Sequence, residues 1–175
     1  MKKIGIIFIT GVLMIFTSNL FAGMKIGIFD LQEVMVKSDA GKDIKTLLQQ
    51  KKEYFTKEIK KREQALKKMR DEIEKKSMML SETAREEKEK EYQRKLRDLK
   101  LYASDSESEL KNIYREKIQK LIHDIVMVVK DYAKKNNFTF VIEKQEGGVV
   151  FASQSVDITK DILKEFNKYY HSKKK

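Results

Sequence analysis

Few residues in this 175-residue chain have the types and spacing that chemistry requires. There are two histidines and no cysteine. His123 stands beside Asp124, and a histidine next to a carboxylate is the usual pairing for general acid–base work. On a helix, however, successive side chains point in different directions, so this pair reads as structural or surface. His171 lies in the basic end HSKKK and reads as solvated. Glu86 and Glu87 would suit proton transfer or a cation only inside a cavity or beside a histidine. On a charged helix they read as surface, because function has to be argued from a site rather than from charge. No phosphate-cradling glycine–lysine loop is present. Without cysteine there is neither thiol catalysis nor a thiolate metal site. No catalytic residue, metal site or cofactor is expected.

Clearer chemical meaning attaches to apolar side chains set among charges. Tyr54, Met78, Met79, Leu101 and Tyr102 fall off the heptad seams described below. Methionine in particular adapts to irregular apolar partners. These five residues are the expected contacts for an irregular apolar partner, with edge packing inside the helices as the bland alternative, since scattered surface apolars are common.

The elements that would carry them follow from punctuation and period. The chain has no proline, and no glycine between Gly41 and Gly147. Removing the two strongest breakers over that span permits very long helices. Leu48, Lys52, Phe55, Ile59, Arg62, Leu66, Met69, Ile73, Lys76 and Leu80 step by four and three, as a heptad seam does. Tyr92, Leu96, Leu99, Ala103, Ser106, Leu110, Ile113 and Lys117 do the same. Ser81 and Thr83 are helix starters, and Thr83 with Glu86 has capping-box spacing, so a break is expected near Ser81. Folding back there brings the two seams face to face in an antiparallel hairpin, Leu66 opposite Leu96 and Ile59 opposite Ala103. About forty residues at 1.5 Å each make an arm of roughly 60 Å. Its seam is thin, and its distal third is expected to be mobile.

Residues 114–133 form the most apolar helix of the chain after residue 22, closed by Asn136-Asn137. Three short runs have the aromatic and β-branched character of strands: 24–30, 138–142 and 149–152, the last two joined by Gly147-Gly148 as a hairpin turn. Asp157 or Thr159 is placed to cap a final short helix with Ile158, Ile162, Leu163 and Phe166 as its apolar stripe. Three short strands and one small helix make a poor core alone, and their exposed edges invite pairing with other chains. Ile26, Ile28, Phe138, Phe140, Ile142, Val149 and Phe151 are the expected oligomer core. The fold class is therefore α+β, mostly α: a long antiparallel two-helix coiled-coil hairpin projecting from a small β core.

Residues 1–22 have the layout of a secretory signal peptide. Lys2 and Lys3 precede an apolar run from Ile4 to Phe16, and small residues follow, with cleavage expected after Ala22. Residues 23–175 then form one domain, with 23–42 and 114–175 as the β/α body and 43–113 as the arm, its tip near 78–84. The net charge is +11 for the whole chain, and +9 once the two leader lysines are removed. A basic balance favours acidic partners. Export argues against nucleic acid, leaving acidic polypeptides and an anionic membrane surface or lipopolysaccharide.

KIGIFDLQEVMVKSDAGK at 25–42 and GGVVFASQSVDITKDILKEFNK at 147–168, with a lysine- and glutamate-rich hairpin between them, resemble the Skp/OmpH family of periplasmic outer-membrane-protein chaperones. The Ser38-x-Ala40-Gly41-Lys42 turn and the Asp157-Ile158-Thr159 cap carry much of that likeness. The resemblance implies a homotrimer with a shared β-barrel body. Its three hairpins would surround a cavity that holds unfolded outer-membrane proteins without ATP. The competing readings are a structural or adaptor coiled coil of the cell envelope, a basic nucleic-acid binder and, more distantly, an enzyme.

Overall fold

The computed structural model describes residues 24–76 and 79–174. The expected leader, residues 1–22, lies outside the described residues, as does Met78. Strand β1 (Ile26–Phe29) leads into a short helix α1 (Leu31–Lys37) and then α2 (Asp39–Lys76). Helix α3 (Glu82–Lys135) returns, followed by strand β2 (Phe140–Glu143), a 3-10 turn at Gln154–Val156 and helix α4 (Thr159–Lys173). Among the described residues, no helix is long and apolar enough to cross a membrane.

α2 and α3 are long because nothing interrupts them. At 1.5 Å per residue they extend roughly 57 and 80 Å. Ser81 caps α3, its Oγ accepting from Ala84 N at 3.3 Å, so the break falls at the expected serine. The two helices pack antiparallel along the expected seams. Phe55, Leu66 and Ser106 are buried on that line, and Ile59, Met69, Ile73, Leu96, Leu99, Ala103 and Leu110 are half-buried. Lys51 meets Glu109 across the seam at 3.1 Å, within two residues of the register the heptads predict. The far end of α3 stops at Asn136, and Asn137 adopts a positive φ of 55°. Asparagine tolerates that left-handed region better than most residues.

The body differs from the expectation of a three-stranded β core. β1 and β2 form a two-stranded parallel pair, Ile26 opposite Phe140 and Ile28 opposite Ile142. Residues 149–152 form no strand, and the hairpin across Gly147-Gly148 does not exist. The cause is local. The Glu143 carboxylate accepts from Gln145 N and Glu146 N through one oxygen, and from Leu31 N through the other. The chain curls around that side chain, Gly147 N reaches back to Glu143 O, and Gly148 turns away at φ +62°. The next residues leave the surface instead of returning along β2. A single parallel bridge, Ile28 with Asp157, is all that follows.

The core beneath the strands is mainly helical. Phe29 and Val34 meet Leu121, Ile125, Val128 and Val129 of α3 and Ile158, Ile162 and Phe166 of α4. α3 therefore serves twice. Its first part zips to α2, and its last five turns are the central helix of the body.

Candidate functional site

Two stretches of backbone, one near each end of the described chain, are knotted together and fix where the hairpin springs from. Ser38 is fully buried between α1 and α2. Its Oγ donates to Met35 O and accepts from Gly41 N, which carries the chain round the sharp junction. Ala40 is buried beside it, and a Cβ on Gly41 would lie 1.8 Å from Met35 O. Only glycine admits that carbonyl. From the other stretch, Asp157 Oδ1 accepts from Thr159 N, and Thr159 Oγ1 accepts from Asp30 N at 3.0 Å. Ile158 N donates to Ile28 O at 2.8 Å. Burial raises the Asp157 pKa, but the hydrogen bonds from Thr159 outweigh it and hold the carboxyl below its ordinary value. The serine–alanine–glycine turn and the Asp-Ile-Thr cap are therefore joints rather than chemical centres.

A second set of contacts ties the last turns of α4 to the roots of both arm helices. Asp39 N donates to Asn167 Oδ1, and the Asp39 carboxylate accepts from His171 Nε2 at 2.9 Å. Asp43 accepts from Lys174 Nζ at 2.6 Å and from Tyr170 OH at 2.8 Å. Asp124 meets Tyr169 OH and Lys173 Nζ. Lys173 and Lys174 also lie over the rings of Tyr169 and Tyr170. The Asp39 carboxyl is held below its ordinary pKa by the hydrogen bond from His171 and then that from Lys42. Asp43 is lowered by Lys174 and then Tyr170. His171 is thus engaged with Asp39, not simply solvated as its place in a basic tail implied. This clamp was missed from sequence. Tyrosine and lysine four residues apart, Tyr169 with Lys173 and Tyr170 with Lys174, was the signal that could have found it.

The acid–base candidates do not come together. His123 is exposed, and its neighbour Asp124 is taken by α4. Glu86 pairs with Lys90 one helical turn on, and Glu87 is exposed. Among the described residues, no group of three or more histidine and acidic side chains could hold a metal. A half-open cavity of about 260 Å3 lies beneath the clamp, floored by Ala40, Ile44, Leu47, Leu121 and Phe166.

The expected client contacts divide. Tyr54, Leu101 and Met79 project from the arm at 58, 61 and 86% exposure. Tyr102 does not. It is half-buried in the seam, edge-on to Phe55 at 6.3 Å, with the Arg62 guanidinium 4.0 Å from its ring centre. Placing it off the contact line was an error of one helical step, because the α3 seam is wide enough to include the residue before Ala103. The expected oligomer residues also divide. Ile28 is buried within the chain, Phe138 packs on Tyr132 under Lys25, and Val149 is half-buried. Ile26, Phe140 and Ile142 are partly open, while Val150 is fully exposed and Phe151 86% exposed.

The OmpH-like outer membrane protein model matches residues 25–166, from β1 through the buried Phe166 of α4. The chain belongs to the OmpH-like family. A Skp-like protein of Pseudomonas aeruginosa is 26% identical over 147 residues, which cover 84% of this chain and 86% of that one. A crystal structure from Caulobacter crescentus, described as an OmpH-like outer membrane chaperone, superposes with a TM-score of 0.78 at 14% identity. It covers 83% of this chain and 85% of its own. The likeness extends over both arm and body, so the long hairpin of this OmpH-like chain is part of the shared fold.

Proposed function

We propose that this chain is an ATP-independent periplasmic holdase for unfolded outer-membrane proteins. The observation that carries the reading is the hairpin itself: a long, thinly zipped pair of helices whose lysine-rich surface presents Tyr54, Met79 and Leu101 to solvent. An unfolded barrel protein exposes apolar residues and unpaired backbone and so aggregates. Several weak contacts on arms surrounding it would keep it soluble and still release it, because linked weak contacts add up without any one being tight. The family and the named neighbours support a chaperone rather than an enzyme. Three copies would share a body through the open strand edges and through Ile26, Phe140, Ile142 and Phe151. The arms, residues 43–113, would project from that body.

The test is light scattering of an unfolded outer-membrane protein diluted out of denaturant. A holdase keeps the scatter low at near-stoichiometric amounts without nucleotide. An adaptor coiled coil leaves the client to aggregate, and that result would sink the reading. Tyr54→Glu and Leu101→Glu should weaken retention while leaving the helical content unchanged. Unaltered retention would remove both residues from the client surface.

A further inference from the structure

The charge of the arm is banded, and the bands are complementary. Across the middle, residues 57–70 of α2 and 92–105 of α3 carry eleven basic and four acidic side chains, a net of +7. Beyond it, residues 71–91 carry five basic and eight acidic side chains, a net of −3. Among the described residues, the belt's ion pairs are Arg70 with Glu74 and Lys95 with Glu91, both across its border with the tip. Lys57, Lys60, Lys61, Lys67 and Lys68 make none. Among the described residues, each band also presents one prominent apolar side chain, Leu101 in the belt and Met79 at the tip.

We infer that the arm docks on the arm of a second copy, antiparallel, with the acidic tip of each lying against the basic belt of the other. One geometric fact makes this a closed pairing. On α2 the belt and the tip segment are centred near residues 63 and 75, about 18 Å apart at 1.5 Å per residue. When two antiparallel arms overlap so that one tip faces one belt, the second tip faces the second belt at the same offset. The contact is therefore isologous and ends with two arms. The same overlap brings Met79 of one copy to the level of about residue 59 of the other. That is the level of Leu101, because α2 and α3 run antiparallel with Lys51 against Glu109. Charge and apolar positions thus select one register independently. The pairing covers the exposed Met79 and Leu101 when no client is present.

The measurement is mass by sedimentation of the full processed protein without client, from about 20 mM to about 500 mM salt, a range that screens exposed charges strongly. The mass at low salt should be at least twice that at high salt, since each arm of one assembly pairs with one arm of another. K60E/K67E/K68E and E86K/E87K/E89K change only exposed positions. Each variant alone should lose the low-salt step, and an equal mixture of the two should regain it. A salt-independent mass, or a mixture that fails to associate, overturns the proposal. The chain has no cysteine, so M79C and L101C proteins can be mixed and oxidised. A mixed disulfide between them is expected at low salt. On one arm these positions are roughly 30 Å apart along the axis, beyond any intramolecular bridge. Exclusive recovery of like-with-like disulfides also overturns the docking. None of these readouts involves a client, so their failure leaves the holdase reading standing, and failure of the client assay leaves them standing.

Discussion

The body and the arm are built from the same two helices but hold together in different ways. In the body, α3 has several neighbours: Leu121, Ile125, Val128 and Val129 share one buried cluster with Phe29 of β1, Val34 of α1 and Ile162 and Phe166 of α4. In the arm, α3 has one neighbour, α2, and among the described residues the line between them is buried only at Phe55, Leu66 and Ser106. Burying apolar area stabilises by about 25 cal/mol per Å2. The same chain therefore passes from a region with a closed core to one with a single seam. Long helices do not make a rigid arm. The stability of a helix in water comes from its packed face, and here the packed face narrows along the arm.

Removing a core ring tests that contrast hardest. Phe166→Ala takes away a ring that is 1% exposed and touches helices from both ends of the chain. The expected loss is ~3–5 kcal/mol, read as a lower urea midpoint for the whole body. Gly41→Ala comes next. Its methyl group would collide with Met35 O, which belongs to the backbone and cannot rotate aside. A cost of ~1–3 kcal/mol is expected from forcing the junction between α1 and α2 open, again in the body midpoint. Leu66→Ala removes a side chain that is likewise buried, but in the arm. It should leave the body midpoint nearly unchanged and instead speed amide exchange from Phe55 to Tyr102, because the arm opens locally. A body midpoint that falls as far for Leu66→Ala as for Phe166→Ala would mean that arm and body unfold as one unit, and the contrast would be gone.

What could be read from the sequence follows the same division. The hairpin was legible because heptad spacing and the absence of proline and glycine are local signals, and Ser81 marks the break by its own side chain. The stripe Ile158, Ile162 and Phe166 was legible for the same reason. The β pairing was not. Phe140 and Val150 both have strand-like residue types, but the partner of β2 is β1, more than a hundred residues away. The turn that would have joined β2 to Val150 is spoiled by the three hydrogen bonds drawn to Glu143. Residue preference cannot report a competing hydrogen bond from a distant amide such as that of Leu31. Among the site residues, Tyr54, Met79 and Leu101 were placed on the surface by period alone. Tyr102 was misplaced because a ring reaches further than the heptad position of its Cα implies. The clamp on Asp39, Asp43 and Asp124 joins segments that lie 45 to 132 residues apart, and no periodicity spans that.

That clamp supplies the smallest expected effect and the one that separates the two regions by pH. Asp39 and Asp43 have folded pKa values below their ordinary carboxylate range, each through a hydrogen bond to the end of α4. A lowered folded pKa means that the unfolded chain takes up protons first as the solution is acidified. The contribution is thus complete above an unfolded value of about 4, and it fades as pH falls through the lower folded values. Both carboxylates are exposed, so water screens them and the effect is modest. The expected observation is increased amide exchange in the last turn of α4 and the first turns of α2 on going below pH ~4. Asp43→Asn removes the charge that Lys174 and the carboxylate that Tyr170 recognise. It should bring part of that exchange to neutral pH and flatten the acid response. If the acid response of the variant matches that of the parent, Asp43 contributes nothing to it and the response rests on Asp39 with His171.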